Sequence, residues 1–401
     1  MVKRIVVGDA RESGPAMIPR AIFDADHLIF RETVRKVIAR DIVPEHAGWE
    51  SAGQIPPEAW RKAGAAGLLL CAVDETRGGG GGTFLHSAIV IEELARVGAT
   101  GPCFALHSDV VAPYLTHFAS DALRAHWLPM MADGRSPGAI AMTEPGAGSD
   151  LQAIRTRLRR QDGALRIDGN KCYISNARGA AFVIVACKDA DHGGLTLVLV
   201  EKDRPGFRLG RRFDKIGCLA QDLSELFFDE CEVPEANVIG VAGQGMAQVM
   251  RMLPQERLVQ AVRAVAAAEA MFEWTIDHLQ SREVFGKRLA AQQALAFKMA
   301  ELHAEILAQR VLVDRCLELH LSDAMSAALA ASVKMSSCEM QGHVADACLQ
   351  MFGAAGFMRD TPIARAFVDA RQARIAGGAV EIMKLIVSRE LFGKRMERKT
   401  Q

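Results

Sequence analysis

Apolar positions along this chain recur with two different periods, and the change of period divides it into three stretches. From residue 21 to 135 the repeat is helical: Leu28, Val34, Val37 and Ile38 are read as one face, with charged residues between them. A second helix is expected from Pro57. A third is expected over 85–97, where Ile89, Val90, Ile91 and Leu94 run beside Glu92 and Glu93. Between 138 and 241 the pattern shortens to β-branched runs broken by turn signals at Asp162-Gly163, Asp168-Gly169, Gly193-Gly194 and Pro205-Gly206. Buried strands are expected at 139–142, 183–185, 195–200 and 226–228. The alternation of Arg155, Arg157 and Arg159 predicts the solvated face of an exposed edge strand. From about 246 onward, long amphipathic helices are expected over 255–283, 291–320, 323–352 and 379–395. They predict a helical bundle, part of whose apolar surface lies between subunits. The expected architecture is α+β and multidomain: a helical domain over 1–137, a β-barrel or sandwich over 138–246 and a helical bundle over 247–401.

Length agrees, since 401 residues exceed what one hydrophobic core holds. Lys+Arg and Asp+Glu are equal at 48 each, which excludes a nucleic-acid binder needing a basic surplus. No apolar run is long enough to span a bilayer. Met1–Arg20 lack an apolar core with a small-residue cleavage site and include Asp9 and Glu12, so a cytoplasmic protein is expected. The nine cysteines never form a C-x-x-C pair, and the histidines show no ligand spacing, so reduced core thiols and no metal site are expected. The glycines at 78–82 predict a flexible connector. They are not read as a phosphate loop, because no Lys-Ser/Thr follows.

The segment Thr143-Glu144-Pro145-Gly146-Ala147-Gly148-Ser149-Asp150 follows the apolar run Ala139–Met142. A turn forced by Glu-Pro and two nearby glycines leaves backbone N–H groups bare beside small hydroxyls, as contact with a polar ring or an anion requires. The full octet resembles the acyl-CoA dehydrogenases. Further segments match at Lys171–Asn176, Leu226–Asp229 with Val233-Pro234, Ser281–Lys287, and Gln350–Gly353 with Gly356-Phe357. Pro254–Leu258, Tyr173 and Gly377-Gly378 with Glu381–Lys384 resemble the long-chain branch. The likeness runs from about residue 24 to 395 and implies that family's fold, with a four-helix bundle as its C-terminal part.

The resemblance implies FAD-dependent removal of two hydrogens across Cα–Cβ of a fatty acyl-CoA, long or branched, to give the trans-2-enoyl-CoA. Electrons would pass to an electron-transfer flavoprotein. Many members carry the α-proton base in a C-terminal Glu-Gly-Thr, but here the matching residue is Gly377. Long-chain and isovaleryl types place the base on an earlier helix before an arginine, where this chain has Glu256-Arg257. Glu256 is therefore the implied base. The Gly377 N–H and a ribityl hydroxyl of FAD are the implied donors to the thioester oxygen. Ile140, Met142, Thr143, Tyr173 and Ser175 are the implied flavin contacts. Arg282, Phe285, Gln293, Gln350, Gly353 and Glu381 are implied at the pyrophosphate and adenosine across a subunit boundary, so a homotetramer is expected. Ser149 and Arg257 are the implied substrate contacts. Ala354, Ala376, Ala379 and Val380 depart from the family pattern near the flavin and adenosine. Those departures keep open a catalytically impaired acyl-CoA-binding or scaffolding member; an acyl-CoA oxidase is the other alternative.

Overall fold

A computed structural model describes residues 18–161 and 163–397. Most of the Met1–Arg20 segment, and Asp162 of the first turn signal, lie outside the described residues.

Helix α1 (Ala25–Val37) begins at Asp24, whose carboxylate accepts the His27 N–H. It passes through a π-helical turn, Ile38–Ile42, into α2 (Val43–Ala52). Val34, Val37 and Ile38 are buried, but Leu28 is 54% exposed. Its offset from Val34 is not a whole number of helical turns, so it faces solvent. Next come α3 (Pro57–Ala65), α4 (Phe84–Arg96), α5 (Ala112–Phe118) and α6 (Asp121–Ala132). The glycine run before α4 is not a flexible connector. Each N–H from Gly78 to Gly82 donates to a carbonyl between residues 70 and 75. A Cβ on Gly79 would stand 2.2 Å from the Val73 carbonyl oxygen, so the glycines make this laced turn possible.

The middle part is a sheet of β1 (Gly138–Ala141), β2 (Arg157–Gln161), β3 (Ala164–Ser175), β4 (Phe182–Asp189), β5 (Leu195–Glu201), β6 (Phe207–Arg212), β7 (Leu223–Val233) and β8 (Val238–Ile239). Its order is β6-β7-β3-β2-β4-β5-β8, with β1 parallel to β4. β4 and β5 are buried on both faces, which explains their unbroken apolar runs. Two expectations fail here. The arginine-rich strand β2 is not an edge, since it lies between β3 and β4; Arg159 still faces outward, onto Glu230 and Asp168. Asp168-Gly169 is not a turn but a bulge within β3, where a Cβ on Gly169 would meet Thr156 Oγ1 at 2.6 Å.

The C-terminal part holds α7 (Gly245–Ser281), the short hairpin β9 (Glu283–Val284) and β10 (Lys287–Arg288), then α8 (Gln293–Leu321), α9 (Ala327–Met351), α10 (Pro362–Ala373) and α11 (Val380–Glu397). α7 starts well before the expected residue 255 and carries Pro254 inside it. α10 has no counterpart among the expected helices. Buried α4 packs against α7, and its Glu92 takes guanidinium hydrogen bonds from Arg20, Arg31 and Arg310 at 2.8–2.9 Å. The three parts meet at Asp369 of α10, which accepts from the Thr100 hydroxyl at 2.9 Å and from the backbone N–H of Cys218.

Candidate active site

Glu256 projects from α7 toward the turn that precedes α11. Gly377 in that turn has φ +66°, a conformation L side chains rarely adopt. A Cβ built on Gly377 would lie 3.7 Å from Glu256 Oε1 and 3.2 Å from the Gln260 side chain. The carboxylate thus occupies the space a longer residue at 377 would fill. Burial pushes the Glu256 carboxyl above the usual range, and the charges of Arg257 and Lys334 partly oppose that rise. Arg257 is buried, with its Nε unpaired among the described residues.

Neighbouring groups hold this corner. The Lys334 ammonium, buried on α9, donates to the Gly378 carbonyl at 2.7 Å. Gln255 donates to the Asp109 carbonyl at 2.7 Å, which Pro113 cannot serve for want of an N–H. The Gln255 amide oxygen faces His320 Nε2 at 3.1 Å. Tyr114 on α5 is fully buried with an unpaired hydroxyl, and burial together with the Glu256 charge pushes its pKa up. Asp109, five residues earlier, is buried, and burial pushes its carboxyl up to about 7.

A second group of expected residues gathers on the β part. The loop after β1 is tied to β3, since the Cys172 N–H donates to the Thr143 carbonyl at 3.0 Å. Lys171, fully buried, donates to the Met142 carbonyl at 3.0 Å and to Glu144 Oε1 at 2.8 Å. Glu144 also accepts the N–H groups of Arg155 and Thr156 at 2.7 and 2.9 Å. Thr143 and Ser175 are half-buried, and neither hydroxyl has a hydrogen-bond partner within the described residues. Tyr173 is 58% exposed at φ +57°, in an irregular stretch of the β3–β7 pairing. Ile140 is half-buried in β1, and Ser149 is exposed.

Five of the remaining expected residues lie at the far end of the bundle, separate from Glu256. Arg282 caps α7, Phe285 is 97% exposed in the hairpin, and Gln293 opens α8. Gln350 in the last turn of α9 and Gly353, which opens the 3-10 turn after it, lie on the same side, held there by His278 stacking on Phe352 at 4.1 Å between ring centres. All five are exposed, and the Arg282 guanidinium makes no ion pair or side-chain hydrogen bond within the described residues. Glu381 is exposed in the first turn of α11.

Family models for the acyl-CoA dehydrogenase N-terminal, middle and C-terminal domains match residues 24–135, 139–231 and 243–392. The chain belongs to the acyl-CoA dehydrogenase family. It is 43% identical over 378 residues to the long-chain specific acyl-CoA dehydrogenase, mitochondrial, of Sus scrofa, covering 93% of this chain and 88% of that one. It is 30% identical over 367 residues to the isovaleryl-CoA dehydrogenase, mitochondrial, of Pongo abelii, covering 90% of this chain and 87% of that one. Among solved structures, it resembles an acyl-CoA dehydrogenase from Geobacillus kaustophilus with a TM-score of 0.91 and 37% identity, covering 93% of this chain and all 100% of that one.

As a member of this acyl-CoA dehydrogenase family, the protein is an FAD-dependent oxidoreductase that acts on acyl-CoA. Its residues fit that cofactor. Two unpaired hydroxyls and an exposed aromatic ring stand together on the β part, as a polar ring system needs. A guanidinium free of side-chain partners and an exposed Phe285 stand at the bundle end, as a pyrophosphate and an adenosine need. Ala354 lies on the exposed surface there, where its methyl group displaces no buried packing. Sequence reasoning missed Glu144 and Lys171, the pair that shapes the octet loop. A buried carboxylate needs an answering cation, but nothing in the octet marks Glu144 as buried. Gln255 stood in the quoted Pro254–Leu258 segment without a role of its own, and Lys334 gave no sequence signal apart from its place on an amphipathic helix.

Proposed function

We propose that this enzyme dehydrogenates long or branched acyl-CoA thioesters at Cα–Cβ, with Glu256 as the base. The observation that carries the reading is Glu256 Oε1 standing in the space left by Gly377. Glu256 takes the α-proton at a carboxylate oxygen. Its partly desolvated position raises its basicity toward working pH. The Gly377 N–H, in a turn fixed by Lys334, donates to the thioester oxygen and stabilises charge that develops there. Bound FAD supplies the acceptor for the hydride leaving Cβ. Thr143, Ser175, Tyr173, Met142 and Ile140 would hold its ring, and Arg282, Phe285, Gln293, Gln350, Gly353 and Glu381 its pyrophosphate and adenosine. Ser149 and Arg257 would serve the acyl-CoA.

The same reading includes an electron-transfer flavoprotein as electron acceptor and a homotetramer. The tetramer is supported by large exposed apolar side chains in the C-terminal part: Phe285, Phe297, Phe357, Leu391 and Phe392 are each at least 60% exposed. The division into domains 1–137, 138–246 and 247–401 is proposed with it, supported by the three family matches. So is a cytoplasmic location, supported by nine buried, unpaired thiols that suit a reducing compartment. Among the described residues, no helix is long and apolar enough to cross a membrane.

The test is anaerobic mixing of the yellow holoenzyme with acyl-CoA esters of increasing length and branching. Bleaching of the visible flavin band by long or branched esters is expected, and its absence in the Glu256→Gln variant with FAD retained. Full activity in that variant would reject Glu256 as base. Fast reoxidation by oxygen would point to the oxidase instead, and a protein that cannot be reconstituted with FAD to the impaired binding member.

A further inference from the structure

Lys334 is a fully buried cation that forms no ion pair among the described residues. Burying an ammonium is costly, so its place needs a reason. Its hydrogen bond goes to the carbonyl of Gly378, at 2.7 Å. Gly377 and Gly378 both have positive φ, +66° and +94°, so this turn has few side-chain contacts of its own to fix it. The donor expected to polarise the thioester is the N–H of the first of these glycines. Lys334 therefore anchors α9 to the turn that aims that donor.

The same ammonium acts on Glu256, whose oxygen lies beside the turn. Charged and titratable groups facing Glu256 are Arg257 on its own helix, Lys334 on α9 and Tyr114 on α5. Lys334 in turn faces Cys338 on α9 and Arg257, Arg263 and Glu256 on α7. Arg263 is engaged with Gln260 and Gln372 at 2.7 and 2.6 Å. Glu256 thus takes charge support from its sequence neighbour Arg257 and from one residue across the interface between helices, Lys334.

Resting on the reading of Glu256 as base, we propose that Lys334 is a positioning residue for this reaction. Its ammonium pins the Gly377–Gly378 turn and supplies the cross-helix counter-charge that keeps the Glu256 carboxylate ready to accept a proton.

The test uses the FAD-loaded enzyme and the pH dependence of flavin reduction at saturating acyl-CoA. In Lys334→Met the rising limb should move to higher pH by about one unit, with a roughly tenfold lower rate at neutral pH and little change in KM. Lys334→Gln keeps a donor for the Gly378 carbonyl but no charge. Its limb should stay displaced while the plateau rate recovers. Lys334→Arg should return the limb toward its original place. A Lys334→Met enzyme with an unmoved limb and an unchanged rate overturns the proposal. If Lys334→Met does not fold, the counter-charge role requires that Glu256→Gln/Lys334→Met recover soluble FAD-bound protein. Failure of that double variant too would leave Lys334 as scaffold and also overturn the proposal. Full activity in Glu256→Gln would remove the base assignment instead. An inactive Glu256→Gln beside an unmoved Lys334→Met limb would remove only this inference.

Discussion

Glu256 Oε1 lies 3.7 Å from the point where a side chain on Gly377 would begin. The two positions are mutually exclusive sites for a carboxylate. Gly377→Ala presses on Gln260, whose side chain would stand 3.2 Å from the new Cβ, and it forces a non-glycine residue to φ +66° beside the base. The expected result is a kcat at least roughly tenfold lower with FAD content retained, since small misplacements of reacting groups are costly. Steady-state kinetics beside the visible spectrum of the purified variant checks this; normal turnover would show the corner to be roomier than described.

Activity should rise with pH along a limb set by Glu256. Burial raises its pKa, so the ionised form needed to take a proton appears only above the usual carboxylate range. In stability the same raised pKa has the opposite sense: ionising the buried carboxyl costs the folded protein stability as pH rises, a fall that Glu256→Gln should lack. Below the limb that variant and the wild type should differ least in stability, because both then carry a neutral group.

Asp109 gives a separate pH signature, in stability. Its folded-state pKa, raised to about 7, exceeds the unfolded value, so the folded protein holds a proton that the unfolded chain has released. Stability falls as pH rises from the ordinary aspartate range to about 7, and the penalty stays above it. Asp109→Asn should accordingly raise Tm more at pH ~8 than at pH ~5, by an amount on the order of a few kcal/mol in unfolding free energy. Equal shifts at both values would mean that the carboxyl is solvated.

Lys171→Met strands the Glu144 carboxylate in the loop that carries Thr143. Removing one partner of a buried ion pair costs about 3–5 kcal/mol. Thermal denaturation should show that loss, and FAD should dissociate more readily because the Thr143 loop loosens. A destabilised variant with unaltered FAD affinity would separate the loop from the cofactor.

Arg282→Ala should lower FAD occupancy while far-ultraviolet circular dichroism stays as in the wild type, since the guanidinium makes no side-chain bond within the described residues. The ratio of flavin absorbance to protein absorbance reads this directly. Unchanged occupancy would remove Arg282 from the pyrophosphate site.

Long elements were legible because period and burial agree in them. α4, α8, α9 and the strands β4 and β5 match their apolar runs closely. What the sequence hid are local features decided by tertiary contact. Pro254 reads as a helix boundary, yet α7 runs through it because packing on both sides outweighs one lost hydrogen bond. Gly78–Gly82 read as slack, but which carbonyls would receive those five amides depends on a return of the chain that no local pattern records. At the site, Glu256 and Gly377 were legible because a missing carboxylate in one segment and a carboxylate in another form a joint pattern. Lys334 was not, because a lysine among apolar residues on a long helix looks the same whether it reaches solvent or a glycine carbonyl.

Asp369 receives one hydrogen bond from the helical part before the sheet and one from the loop between β6 and β7, while standing on a helix of the bundle. A side chain shared in this way makes the three parts thermodynamically dependent on one another. Losing either of the other two leaves this half-buried carboxylate with half its bonds, so partial unfolding has no cheap first step. The expected signature is a single calorimetric transition for the whole chain, and Asp369→Ala should split it.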